Sequence, residues 1–236
     1  MTFPFHKGRL TARLAQDDAD VRACQALRQR SFFDADGYDA DPFDDLFQHL
    51  MIVNECDTVV GALRFRVCHT GADMQHGYVA QHYDLRGWGQ VAGPFLEVGR
   101  FCTVPGMDAD LLRMLWAALT RLVDTHRVTM LFGCTSFAGT DPTRYGAVFH
   151  QLARRHQGPV ALRPGVSHPM AVRFADVAQT GIAPMPALLK SYLSLGGWVG
   201  DHAVVDPAMK TLHVFTCLQV SAMSAARAAR LRAVAS

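Results

Sequence analysis

The chain has 236 residues, long enough for one large domain with a substantial core or for two small ones. Half of the residues are hydrophobic, 19% are charged and the formal net charge is +2, so neither extended disorder nor polycationic binding to nucleic acid is expected. The six cysteines (24, 56, 68, 102, 134 and 217) include no CxxC pair and mostly sit in apolar runs, while the eleven histidines lack an HExxH spacing. Reduced, buried thiols and no resident metal are therefore expected. The opening MTFPFHKGRLTARLAQ has no apolar run of signal length, and no uncharged apolar stretch reaches about 18 residues, which predicts a cytoplasmic protein.

In chain order, 18–33 (DADVRACQALRQRSFF) starts on capping aspartates and continues with apolar residues at helical intervals. The acidic segment 34–45 breaks that helix as an irregular loop. HLMIVNE (49–55) and TVVGALRFRV (58–67) read as two strands, with a tight turn at Cys56-Asp57. A polar, glycine-containing stretch precedes FLEVGRFCTV (95–104), a strand ended by Pro105-Gly106. A helix over 108–125, a strand over 128–137 and a helix over 143–156 follow. The last third predicts a helix at 186–195, strands near 198–205 and 211–220, and a terminal basic helix over 221–236. No repeat, low-complexity tract or linker is visible, so one domain over 1–236 is expected. The order of elements fits an α/β protein, a twisted mixed central sheet flanked by helices.

The run Leu96-Glu97-Val98-Gly99-Arg100-Phe101, followed by Pro105 and a helix bearing Leu115-Trp116, resembles the LExGR…P motif of the ornithine lipid synthesis acyltransferases. These belong to the GNAT superfamily and are related to the acyl-homoserine-lactone synthases. The likeness continues through FDDLFQHLMI (43–52), VVGALRF (59–65), LFGCTSFAGTD (131–141), PALLKSYLSLGGWVGDHAVVDP (186–207) and VFTCLQV (214–220), and so covers nearly the whole chain in order. The resemblance implies a GNAT-like acyl-CoA N-acyltransferase fold. It also implies transfer of a 3-hydroxy fatty acyl group from an acyl carrier protein thioester to the α-amine of ornithine, giving a lyso-ornithine lipid. Transfer to glutamine, lysine or glycine is the near alternative. An acyl-homoserine-lactone synthase is a second, opposed by the absence of tryptophan from 1–87. A non-catalytic carrier-binding module on the same scaffold is a third.

Aminolysis of a thioester needs a neutral amine, a route for its proton and donors for the developing oxyanion. An α-amine, with a pKa near ~8, is easier to deprotonate than a side-chain ammonium near ~10.4. Glu97 is the candidate base, acting directly or through water; the plainer reading makes it a buried partner of Arg100 or another arginine. Arg100 and Arg64 are candidates for the amino acid carboxylate. Asp44 and Asp45 stand where the family carries an acidic pair able to receive ammonium groups. Asp201 and His202 lie in a family-like stretch and are candidates to line the amino acid pocket; His202, where the family often has glycine, is the runner-up base, and the plainer reading makes it a satisfied loop histidine.

In GNAT folds the pantetheine arm enters between two splayed strands, which the resemblance places at 95–104 and 128–137. Phe101, Cys102, Thr103, Cys134 and Ser136 would then line the acyl-thioester cleft. Cys134 has no His/Asp partner at a recognisable spacing, so a packed thiol is expected there. The helix start Pro105-Gly106-Met107-Asp108-Ala109-Asp110 replaces the Gly-rich pyrophosphate turn of coenzyme A users with aspartates. That favours a carrier-borne phosphopantetheine donor and no bound cofactor. Because acyl carrier proteins are acidic, Arg113, Arg121, Arg127, Arg154 and Arg155 are candidate docking cations. SAMSAARAARLRAVAS reads either as a solvated helix or as a weak peripheral contact with anionic lipid, at the inner membrane.

Overall fold

A computed structural model describes residues 3–106 and 109–235. The chain runs through β1 (Phe5–Lys7), β2 (Leu10–Leu14), α1 (Asp18–Phe33), β3 (Gln48–Val53), β4 (Val59–Thr70), β5 (Tyr83–Asp84) and β6 (Ala92–Thr103). It continues through α2 (Ala109–Thr125), β7 (Met130–Ala138), α3 (Gly146–Arg155), β8 (Gly165–Val166), β9 (Ala171–Arg173), α4 (Ala187–Ser194), β10 (Trp198–Asp206), β11 (Thr211–Gln219) and α5 (Ala225–Ala235). It divides into two units, one of residues 1–67, 98–128 and 224–236, the other of 68–97 and 129–223. Both boundaries in the first half fall inside strands, after Val67 in β4 and after Glu97 in β6. A strand interior carries no linker composition, so a reading from sequence sees one domain there.

In the first unit α1 begins where Asp17 accepts a hydrogen bond from the Asp20 amide, with Asp18 and Asp20 in the first turn, and ends at Asp34 in the left-handed region (φ 50°). β2, β3 and β4 form an antiparallel meander, Leu50 opposite Leu63 and Ala12 opposite Ile52. The β3–β4 turn is wider than expected: Asn54 Oδ1 accepts from the amides of Cys56 and Thr58, and Asp57 takes φ 55°. Cys24, Leu27, Met51, Val53, Val59, Ala62 and Cys102 form one core of this unit. Helix α2 buries Leu111, Leu115, Leu119 and Leu122, a stripe at spacings of four and three residues. The β1–β2 hairpin escaped the sequence reading because strands of three and five residues are too short to show a period.

In the second unit β11 pairs antiparallel with β7 over nine positions and with β10, whose ladder is interrupted between Val199 and Ala203. Phe215 and Cys217 face a cluster with Trp88, Phe95, Phe132 and Trp198, while Leu212 and Val214 face another with Phe137, Phe149 and Phe174. Both faces of β11 are thus buried, which is why its sequence is apolar without alternation. The expected 143–156 helix is divided: a 3₁₀ turn, Pro142–Tyr145, is capped by Asp141 and hands over to α3 at Gly146. A Cβ at Gly146 would lie 1.8 Å from the Ala178 carbonyl oxygen, so only glycine fits. The polar, glycine-containing stretch between β4 and β6 folds as three short 3₁₀ turns and the two-residue β5, and it buries Met74, Val79, Tyr83, Leu85 and Trp88.

Candidate functional site

The first unit buries a lattice of arginines and aspartates. From α1, Arg28 donates to Asp39 (2.9 Å) and Asp44 (2.7 Å), and Gln25, one turn earlier, donates to the other oxygen of Asp44 (2.9 Å). From β4, Arg64 donates to both oxygens of Asp41 (2.6 and 2.9 Å) and to Asp44 (2.7 Å). From β6, Arg100 donates to Asp39 (2.8 Å) and Asp41 (3.0 Å). The aspartates are presented by a 3₁₀ turn over Pro42–Asp45, in which Asp41 is the cap and Asp44 closes a capping box. The Arg64 guanidinium also lies 5.1 Å from the Phe47 ring centroid.

Three guanidiniums meet three carboxylates, so the charge is compensated where water is scarce. Burial pushes the Asp44 carboxyl up, but the hydrogen bonds and charges of Arg28 and Arg64 outweigh it and hold the group down at about 2. Asp41 is lowered for the same reason: burial is opposed by Arg64 and Arg100. His49, opposite Arg64 on β3, is held below the ordinary imidazole range by burial, against the pull of Asp44.

The expected pair Asp44 and Asp45 is therefore split. Asp44 faces the arginines, and Asp45 is exposed. Arg100 and Arg64, expected to meet a substrate carboxylate, direct guanidinium N–H groups at protein carboxylates. Arg100 takes φ 51°, an unusual backbone state for a long side chain inside a strand. Arg28, Asp39 and Asp41 were missed by sequence reasoning. Each pairing in the lattice joins an arginine to an aspartate 11 or more residues away, so no local pattern announces it.

Glu97 belongs to the second unit, 1% exposed on β6. Its Oε1 accepts from the Val79 amide at 2.7 Å. A Cβ on Gly77 would sit 1.7 Å from Oε2, so the chain over 77–79 lies directly on the carboxylate and a side chain at position 77 would have to push it aside. Beyond it the rings of Tyr78 and His82 are 4.9 Å apart, and His82 and His213 4.7 Å. Asp201 binds its neighbour His202 (2.7 Å) and Arg173 (2.8 Å); His202 is fully buried, and burial holds its imidazole below the ordinary range despite Asp201.

The remaining expected residues fall in separate places. In the first unit Phe101 packs on Trp116 (6.3 Å), Cys102 is a core thiol pushed up to about 12 by burial, and the Thr103 carbonyl accepts from Ser31. In the second unit Cys134 packs against the aromatic cluster and Ser136 is exposed. Cys102 thus fills the core and does not line an open cleft. Among the docking candidates, Arg113 is exposed and paired with Asp110, Arg121 stacks on Phe5 (3.8 Å), and Arg154 and Arg155 are exposed in the last turn of α3. Arg127 takes φ 52° just after α2. Asp108 lies outside the described residues. In the terminal helix Arg232 forks Asp124 of α2 (2.8 and 2.9 Å).

Comparison with known proteins joins these observations. The L-ornithine N(alpha)-acyltransferase of Rhodobacter capsulatus is 32% identical, over 90% of this chain and 90% of its own length. The chain belongs to the L-ornithine N(alpha)-acyltransferase family. The family member of Brucella abortus is 29% identical, over 92% of this chain and 86% of its own. Residues 21–117 match the acetyltransferase (GNAT) domain family, a span that contains the whole arginine–aspartate lattice and Glu97. The solved structure of TofI in an apo form overlays with a TM-score of 0.51 at 12% identity, covering 96% of this chain and 99% of that one, which speaks to the fold alone. The protein is an acyltransferase with a GNAT-like fold, a mixed sheet flanked by helices. No helix among the described residues is long and apolar enough to cross a membrane.

Proposed function

We propose that the protein moves a 3-hydroxy fatty acyl group from the phosphopantetheine thioester of an acyl carrier protein to the α-amine of ornithine, giving a lyso-ornithine lipid. The observation that carries the reading is Glu97, an almost fully enclosed carboxylate on β6 fixed by the Val79 amide, in a chain of this family. In the reaction the amine nitrogen bonds to the thioester carbon and the carbon–sulfur bond breaks. Glu97 takes the proton from the amine, directly or through water, and the thiolate leaves as the carrier's thiol once protonated.

Arg154 and Arg155, exposed at the end of α3, suit an acidic carrier. The product would carry a long acyl chain, and Arg227 and Arg230, exposed on α5, suit a peripheral encounter with anionic lipid.

The test is thiol release from 3-hydroxyacyl carrier protein in the presence of each amino acid, with the product identified by mass spectrometry. Ornithine should give acyl-ornithine, and Glu97→Gln should lower turnover by ~10²–10⁴ at an unchanged unfolding midpoint. Full turnover by Glu97→Gln removes the base assignment, and acylation of glutamine, lysine or glycine in place of ornithine replaces the substrate.

A further inference from the structure

His213 is the third residue of β11, 2% exposed. It pairs across the ladder with Val204, and Asp206 lies two residues further along β10 on the same side of the sheet. His82, which follows the 3₁₀ turn Val79–Gln81, packs its ring 4.7 Å from that of His213. One nitrogen or carboxylate oxygen from each of His82, Asp206 and His213 lies within 4.8 Å of those of the other two. Two imidazoles and a carboxylate converging from three elements are an unusual use of space in a unit whose neighbouring interior is filled by tryptophans and phenylalanines.

The protons sharpen this geometry. The Tyr83 hydroxyl donates to the His213 carbonyl (2.9 Å), and the same oxygen stands 3.2 Å from His213 Nδ1. With its one hydrogen committed, the tyrosine oxygen offers Nδ1 a lone pair. The proton of the imidazole therefore sits on Nδ1, and Nε2 presents a lone pair. That Nε2 is buried and has no hydrogen-bond partner among the described residues. Asp206 has one oxygen fixed by the Met209 amide (3.0 Å), which holds the carboxylate in place at the start of the hairpin turn.

We propose that His82, Asp206 and His213 bind one divalent transition-metal ion, with zinc the best match. Two imidazole nitrogens and one carboxylate oxygen form an accepted ligand set for zinc, leaving a fourth position. Tyr83 plays the outer part, fixing the tautomer and ring orientation of His213. Ligands of a tetrahedral ion stand about 3.4 Å apart at bond lengths of ~2.0–2.1 Å, so the observed spread closes by small side-chain rotations. The site lies at the β10–β11 hairpin, and acyl transfer as proposed above takes no step through it; the inference stands whether or not the ornithine reading does.

The experiment uses tag-free full-length protein stripped with a chelator. Zinc is titrated in competition with a chromogenic chelator, cobalt is added in parallel, and thermal unfolding is followed with and without zinc. One ion per chain, a rise in Tm and visible cobalt bands of tetrahedral intensity without thiolate charge transfer are expected. His82→Gln and Asp206→Asn, both at half-buried positions, should each weaken zinc at least tenfold, while Cys56→Ser, at an exposed thiol, should leave it unchanged. Absence of stoichiometric zinc in the wild type, wild-type zinc affinity in either ligand variant, or a thiolate signature in the cobalt spectrum would each overturn the site.

Discussion

Six charged side chains are buried together in the first unit, whereas the second gathers four imidazoles, of His82, His168, His202 and His213, around Tyr83 and Tyr78. The lattice uses groups whose charge is permanent near neutral pH, and every member is needed to compensate its neighbours. The imidazole cluster uses rings that can be neutral and that pack as hydrocarbons on their faces, so each member depends on one or two hydrogen bonds only. A lattice of this kind fixes the directions of Arg64 and Arg100 at the cost of tolerance to substitution. The cluster keeps lone pairs and protons available.

The comparison can be broken most severely at Asp44. Asp44→Ala leaves Arg28 and Arg64 facing each other without their shared carboxylate, and a loss of about 3–5 kcal/mol in urea unfolding is expected. Gly77→Ala acts in the second unit: its Cβ must displace the Glu97 carboxylate from the Val79 amide, with an expected loss of about 1–3 kcal/mol and a lower turnover. Acid resolves the lattice without mutation. Asp44 is near 2 when folded and near ~3.9 when unfolded, so below pH ~4 the unfolded chain takes up the proton first. Its contribution is complete above pH ~5 and fades as pH falls towards 2, about 2.6 kcal/mol in all. Asp44→Asn should flatten the stability profile over that interval. The smallest effect is expected for Tyr83→Phe, which removes one hydroxyl hydrogen bond network at the His213 ring and costs about 1 kcal/mol in the same assay.

The same contrast explains what the sequence disclosed. Helix α1 was legible to the residue because Asp17 caps it and Asp34 breaks it, both local events. The β6 strand was legible through LEVGRF, and the family through motifs spread along the whole length. Asp44 and Asp45 could not be told apart, since one residue of phase in a 3₁₀ turn decides which carboxylate points inward. The partners of Arg100, 59 and 61 residues away, are set by tertiary packing alone. The elements between β4 and β6 were not legible because short 3₁₀ turns bury side chains without a repeating period.

The left-handed backbone at Arg100 has a consequence for how this position can change. Glycine there would relieve a conformational cost of about 1–2 kcal/mol but would leave Asp39 to Arg28 alone and Asp41 to Arg64 alone. Lysine would keep a cation while retaining the strain and losing the two-pronged grip. Asparagine would suit the backbone and carry no charge. None of the three meets both requirements, so the residue sits at a local optimum that only concerted substitutions around it could leave.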